Sequence, residues 1–407
     1  MQEQDLSKNN FEQCIKCTIC TAYCPVVQVN PSYPGPKQAG PDGERFRLRN
    51  PFFYDENLKY CMNCKRCENA CPSGVRIADI IHTARMNYSH SKPTLRDWIL
   101  ANTDFMGKVA RPVAPIVNAV VGTKPAKAAM DAVLGVDRHR TFPKYRFSGF
   151  EGWLRRKAPD QSKFARQVAF FHGCSTEYQH PEVGRAFVRV MNALGYGVQL
   201  IDEQCCGVAM ISNGLWNQAR SHARHNVEAF RKTDLPIVTT ASTCTFTMRD
   251  EYQEILGVDV SVVRDRIVLV EKFIYSLLDQ GRVRLAFRED FKARVAYHIP
   301  CHMEKLGWSI FTRELLGMIP GLELTVLDSG CCGMAGTYGF KKENYAYSQE
   351  IGRPLFERIK LLDPDYVTSE CDTCKWQIEM STGVEVRNPI LLLEEALDLE
   401  KTAELNR

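Results

Sequence analysis

The amino-acid sequence predicts an α/β chain: a small helical N-terminal domain followed by two copies of one cysteine-bearing α/β unit. Three observations predict it. Two runs of four cysteines near the N-terminus share one spacing. Beyond them, a block opening at Gln167 recurs 127 residues later at Arg294. Within each block, strand-like runs alternate with helix-like ones, the pattern of a parallel sheet covered on both faces. With 407 residues the chain has length for two to four domains.

The N-terminal element, residues 1–90, rests on its cysteines. The first run reads Cys14-Ile-Lys-Cys17-Thr-Ile-Cys20-Thr-Ala-Tyr-Cys24-Pro25, and the second Cys61-Met-Asn-Cys64-Lys-Arg-Cys67-Glu-Asn-Ala-Cys71-Pro72. Three thiolates two residues apart curl around one iron–sulfur cube, and the cube takes its fourth sulfur from the other run, as in two-cluster ferredoxins. The expected sets are Cys14, Cys17, Cys20 and Cys71 for one [4Fe–4S] cubane, and Cys61, Cys64, Cys67 and Cys24 for the other. The proline after each fourth cysteine is expected to turn the chain away and stop the local helix. Structural zinc would be served by two separated pairs instead. The long gap between the runs resembles the helical ferredoxin domain of succinate and fumarate reductase iron–sulfur subunits more than a compact bacterial ferredoxin.

Residues 91–166 contain no cysteine and show weak periodicity. From Phe105 to Val136 they mix Ala, Val, Pro, Gly and Met with the cations Lys108, Arg111, Lys124 and Lys127. Such a segment reads either as linker helices packed on the domains or as a membrane-interfacial surface. No apolar run is long enough to span a bilayer. The polar first ten residues lack a signal-peptide layout, so a cytosolic chain with reduced, metal-binding cysteines is expected.

The two repeats occupy residues 167–285 and 290–400. In the first, the strand-like run 167–173 precedes Cys174, a second at 196–201 precedes Cys205-Cys206-Gly207, and a third at 236–241 precedes Cys244. In the second, runs at 294–300, 322–328 and 365–370 precede Cys301, Cys331-Cys332-Gly333 and Cys371-Asp-Thr-Cys374. Ligands of parallel sheets bind beyond the carboxyl ends of the strands, where all these cysteines fall. The glycine after each cysteine pair is expected to let backbone approach the cluster. Cys301, Cys331, Cys332, Cys371 and Cys374 supply five thiolates, more than a simple cubane uses. The first copy has Ala241 where Cys371 would align. Its Cys174, Cys205, Cys206 and Cys244 either hold a further iron–sulfur cluster or are buried thiols of a degenerate copy.

The repeats resemble the cysteine-rich CCG domain of heterodisulfide reductase, glycolate oxidase and succinate:quinone reductase subunits, which implies a noncubane [4Fe–4S] cluster in the complete copy. The whole chain resembles the family of the C subunit of anaerobic glycerol-3-phosphate dehydrogenase. The matching stretches are 33–45 (YPGPKQAGPDGER), 302–308 (HMEKLGW), 336–344 (GTYGFKKEN) and 371–382 (CDTCKWQIEMST). That resemblance implies two partners, the A and B subunits, which hold the flavin. It also implies electron delivery to menaquinone and a peripheral place on the cytoplasmic side of the inner membrane.

The remaining composition narrows the function class. Hydrophobic residues make up 44%, charged residues 25%, and the net charge is +4, with no basic block that reads as a nucleic-acid site. No Walker loop, dinucleotide fingerprint or nucleophile–base pair occurs, so no self-contained active site is expected and electrons must come from a partner. The competing reading is a heterodisulfide reductase-like catalyst, or another CCG-domain redox subunit, of glycolate or lactate oxidation, that uses a noncubane cluster. His298 and His302 flank Cys301, where one could donate a hydrogen bond or proton to a quinone; otherwise they bond cluster sulfurs or pack. His172, near Cys174, reads as structural.

Overall fold

The computed structural model describes residues 10–50, 55–88, 92–328 and 330–407. From Arg166 onward the chain builds two four-stranded sheets. The first joins β1 (Arg166–Phe171), β2 (Tyr196–Leu200), β3 (Ile237–Thr239) and β4 (Ile267–Leu269) in the order β2-β1-β3-β4. The second joins β5 (Ala293–Tyr297), β6 (Leu322–Val326), β7 (Tyr366–Thr368) and β8 (Val386–Arg387) in the order β6-β5-β7-β8. Every neighbouring pair is parallel, with Ala169 opposite Ile237 in one sheet and Val295 opposite Tyr366 in the other.

Parallel strands need crossovers, and helices supply them. Pro181–Ala193 carries Val183, Ala186, Phe187, Val190 and Met191 on one face, all buried, and proline at its start fits a position whose N–H has no helical partner. Phe187 stacks on Phe170 of β1 with ring centroids 4.0 Å apart. Strand order reverses direction between β1 and β3, and again between β5 and β7, which opens a crevice at the carboxyl end of each sheet. One continuous core serves both repeats, running from Phe170 and Phe187 to Leu315, Leu316, Leu392 and Leu393. The two crevices are thereby fixed relative to each other.

The N-terminal domain is a set of short helices around Phe11, Val26, Tyr33, Leu58, Ile77 and Ile80. Cys20, Cys24 and Cys67 belong to that core, and so do Cys331, Tyr338 and Ile351 of the second repeat. The domain therefore packs on the repeat that carries five thiols. Pro25 does end the local helix Ile19–Ala22, but it also opens the next helix, Pro25–Val29.

Between the domains lie helices Leu95–Ala101, Thr103–Ala110, Ala114–Val121 and Lys124–Ala129. Thr94 and Asp97 close the first in a reciprocal capping box. Arg96 bonds Glu343 at 2.8 Å and Lys341 bonds Asp97 at 2.7 Å, tying this segment to the second repeat. Arg111 pairs with Glu177 of the first. The outer side stays apolar and exposed at Phe105, Val109, Val113, Ile116 and Val120, with Ile116 65% exposed. Among the described residues no helix is long and apolar enough to cross a membrane.

Candidate metal centres

The two N-terminal runs fold alike. Lys16 and Thr18 in the first have φ of 61° and 64°, and Asn63 and Lys65 in the second have 56° and 61°. Lys16, Thr18 and Lys65 each cost about 1–2 kcal/mol in the left-handed region, whereas asparagine adopts it more readily. Left-handed residues on both sides of Cys17 and of Cys64 redirect the local amides, as in the backbone concavities that cradle anions. A cube held by four thiolates is such an anion, so backbone and sulfurs fit the same group.

The thiols gather across the runs. Cys14, Cys17, Cys20 and Cys71 line one small pocket with Lys37 and Pro72. Cys71 Sγ accepts the Val75 N–H at 3.3 Å. Cys24 leaves its own run and lies near enough to Cys61, Cys64 and Cys67 to interact with them electrostatically. Burial, aided by Cys61, pushes the Cys24 thiol up to about 12. Tyr33 is buried against this second group. Metal binding would have to displace these protons, which makes loading a proton-releasing event.

Both repeats gather their sulfurs in the crevices. In the second, Cys332 Sγ lies 3.3 Å from Cys374 Sγ, Cys301 bonds Cys331, and Cys331 Sγ accepts the Gly333 N–H at 3.3 Å. Hydrogen bonding from Cys374, with Thr243 and Thr373, brings the Cys371 thiol down to about 6 against the effect of burial. In the first, Cys174 Sγ is 3.8 Å from Cys205 Sγ, and Cys206 bonds both Cys205 and Cys244. Ala241 opens its helix with φ −121° and ψ 115°, and Cys371 opens the equivalent one with φ −132° and ψ 114°. The backbone position survives in the first copy; only the sulfur is gone.

Gly207 and Gly333 have φ of 83° and 85°, where glycine alone is unstrained. Their place after each cysteine pair suggests a close approach to a cluster. At Gly333 the structure shows another reason: a Cβ there would sit 2.0 Å from the Ser348 carbonyl oxygen, so its tight neighbour is the helix Tyr345–Leu362.

Other residues escaped sequence reasoning. Thr103, from the inter-domain helices, places Oγ1 3.2 Å from Cys174 Sγ and 3.6 Å from Cys205 Sγ. Thr243 of the first repeat reaches Cys371 Sγ of the second at 3.5 Å. Arg66, inside the second N-terminal run, bonds Glu304 at 3.1 Å and interacts with Cys64, Cys301 and Cys331. No periodicity or spacing points at Thr103 or Thr243, since both act across domain boundaries.

His298 is buried against the second-repeat thiols, with ligand atoms of His298, Cys332 and Cys374 all within 4.8 Å of one another. Burial brings its imidazole down to about 4, so it is neutral at physiological pH. His302 stacks near Phe246 and meets the Asn63 carbonyl oxygen at 3.3 Å. His172 sits between Phe150, Phe170 and the carboxylates of Glu151 and Glu203. Both sulfur sets, with all three histidines, line one cavity of about 690 Å³.

Comparison with known proteins agrees with this layout. Residues 10–75 match the 4Fe-4S dicluster domain, and residues 168–249 and 295–379 each match the cysteine-rich domain CCG. The chain is 53% identical over 397 residues to the C subunit of anaerobic glycerol-3-phosphate dehydrogenase from Escherichia coli, covering 96% of this chain and 100% of that protein. The chain belongs to this C-subunit family of anaerobic glycerol-3-phosphate dehydrogenases. It is an iron–sulfur protein with a dicluster domain followed by two CCG domains. Some more distant relatives share its length. The glycolate oxidase iron–sulfur subunit of Escherichia coli is 26% identical over 418 residues, covering 95% of this chain and 94% of that one. The D subunit of the dihydromethanophenazine:CoB–CoM heterodisulfide reductase of Methanosarcina barkeri is 22% identical over 427 residues, covering 96% and 94%.

Proposed function

We propose that this chain conducts electrons from a flavoprotein that oxidises glycerol 3-phosphate to the menaquinone pool, within a complex that also contains the A and B subunits. The observation that carries the reading is the serial order of the thiol sets. Cys20 neighbours Cys24, Cys24 neighbours Cys61, and Cys64 neighbours Cys301 and Cys331. One end of the series is open to a partner at exposed Cys17, and the other ends in the shared cavity.

In this reading Cys14, Cys17, Cys20 and Cys71 hold one [4Fe–4S] cubane, and Cys61, Cys64, Cys67 and Cys24 the other. Cys301, Cys331, Cys332, Cys371 and Cys374 hold a noncubane cluster, and Cys174, Cys205, Cys206 and Cys244 a fourth centre. Bound clusters accept and release single electrons. The chain's own part is to hold the sulfurs, exclude water and set the local charge. Arg66 adds a positive charge between Cys64 and Cys331, which favours arrival of an electron at that junction.

Iron and acid-labile sulfide on anaerobically purified protein, with electron paramagnetic resonance, test this assignment. About sixteen irons are expected with every set loaded and about twelve with the first repeat empty, including one signal unlike a cubane's. About eight would confine the clusters to the N-terminal domain, and zinc in place of iron would overturn the reading.

The same proposal places the complex peripherally on the cytoplasmic face of the inner membrane. The exposed apolar side of the inter-domain helices, with Lys108 and Lys124 among its cations and no exposed carboxylate between Phe105 and Val120, supports it. Burying an isoleucine in an apolar phase contributes about 1.5–3 kcal/mol. Ile116→Asp should therefore weaken flotation with anionic liposomes by about tenfold or more, with iron content unchanged; undiminished flotation would remove this face as the anchor.

A further inference from the structure

The cavity between the two crevices is more than a gap left between domains. One wall carries the sulfurs of the first repeat and the opposite wall those of the second, with Thr243 bridging toward Cys371. Its lining then continues past every thiol. It passes Met106 and Phe142 to Val117 and Val121 and reaches Val109 and Val113, which are 56% and 44% exposed. A metal centre seated on cysteine cannot occupy that outer part, because no cysteine lies there among the described residues.

We propose that this cavity binds a lipophilic quinone, with the ring between the two sulfur sets and the isoprenoid tail leaving between Val113 and Val117. The proposal rests on the reading above that quinone is the electron acceptor, and adds where it sits. Three features select this occupant. The walls are mostly apolar, as a flat ring with a hydrocarbon tail requires, and the cavity extends well beyond the space that clusters on the two sulfur sets would fill. Few polar atoms are present. His298 and His302 supply buried ring nitrogens, and three of the four have no hydrogen-bond partner among the described residues. The mouth opens beside Phe105, Ile116 and Val120, the exposed apolar side of the same helices. A tail could pass from there into a bilayer without crossing water.

The geometry also suits a two-electron acceptor. Reduction to the quinol takes two electrons and two protons. The electrons arrive one at a time through Cys64 and the second-repeat set at Cys301 and Cys331, and the protons come from water at the mouth beside exposed Val109 and Val113.

The test uses full-length protein purified anaerobically with its clusters, and a photoreactive azido-naphthoquinone bearing a short prenyl tail. Labelling should map to peptides containing Val113 and Val117 and to those around Ala241 or Thr337. Val117→Trp, at a half-buried lining position, should raise the dissociation constant about tenfold or more while iron content stays at the parent value. Val113→Trp, at the exposed mouth, is a second variant with little risk to folding and should act in the same direction. Labels elsewhere, or wild-type affinity in both variants, would overturn the cavity assignment. If the intact complex still reduces menaquinone in that case, the acceptor reading survives and only its location falls. If neither labelling nor quinone reduction is seen, both fall together.

Discussion

Cys64→Ala is expected to stop electron flow from the partner subunits to quinone while leaving dye reduction by the flavoprotein intact. Cys64 belongs to a group of four thiols with no spare, unlike the five of the second repeat. It is also the member that neighbours Cys301 and Cys331, so it stands at the junction between the N-terminal domain and the crevice of the second repeat. Removing it leaves three sulfurs for a cube that needs four. The preparation should lose between about one and four irons per chain, depending on whether the damaged cluster survives as a fragment. Losing an outer-shell partner of a metal site already costs ~10–100-fold. Losing the sulfur itself should cost more, measured as quinone-linked turnover of the intact complex. Turnover near the parent value would mean that electrons bypass this site. By contrast, Cys331→Ala leaves four thiols in its crevice, so it should alter the paramagnetic signal more than the iron count.

The second large effect is on stability. Lys65 is 1% exposed, yet it is charged. It pairs with Asp79 and lies 3.7 Å from Glu68, which also takes Lys305 of the second repeat at 3.0 Å. Asp79 is shared with Arg76 at 3.2 Å, and Arg76 in turn pairs with Glu254 of the first repeat. This buried network is where three domains meet. Removing one partner from a buried ion pair typically costs 3–5 kcal/mol, because the other charge is left without compensation. Lys65→Met should lose about that much, read from the urea midpoint of the loaded protein. Adding Asp79→Leu to Lys65→Met should recover part of the loss, since the stranded charge goes with it. A midpoint unchanged by Lys65→Met would show that Arg76 and Lys305 suffice.

Much of the architecture was legible in the sequence, and the parts that were not share a cause. The strands β1, β2, β3, β5, β6 and β7 coincide, to within one residue at β1 and β5, with the strand-like runs that precede the cysteines. The central strands are rich in buried apolar residues, whereas β6, at a sheet edge, alternates exposed and half-buried ones. The edge strands β4 and β8 escaped. Ile267–Leu269 runs straight into the helix Val270–Asp279, and Val386–Arg387 is two residues long, so neither leaves a strand-length pattern. The structure groups the cysteines as their spacing suggests, Cys71 with Cys14, Cys17 and Cys20, and Cys24 with Cys61, Cys64 and Cys67, while their holding clusters belongs to the proposal.

The inter-domain segment was readable only as two alternatives, packed helices or a membrane surface. It serves as helices whose inner side lines the cavity and whose outer side is apolar and exposed. Pro112, Pro115 and Pro125 break it into short pieces, which erases the periodicity that would separate the two sides. Thr103, Thr243 and Arg66 could not be read at all. Their partners lie in other domains, and no residue pattern within one segment encodes a contact made by another.

The left-handed loop around Cys64 bears on how such a molecule can be manufactured. Asn63 and Lys65, on either side of that cysteine, are 5% and 1% exposed, beneath Glu251 of one repeat and His302 of the other. A carrier that hands over iron and sulfide has to touch the sulfurs it loads, and around half-buried Cys64 the docked repeats cover both flanking residues. Loading before the repeats dock would leave that approach open. The ribosome imposes the same sequence of events, since the N-terminal domain emerges before either repeat exists to cover it. A chain that closed while empty would have to open the three-domain junction before it could be repaired.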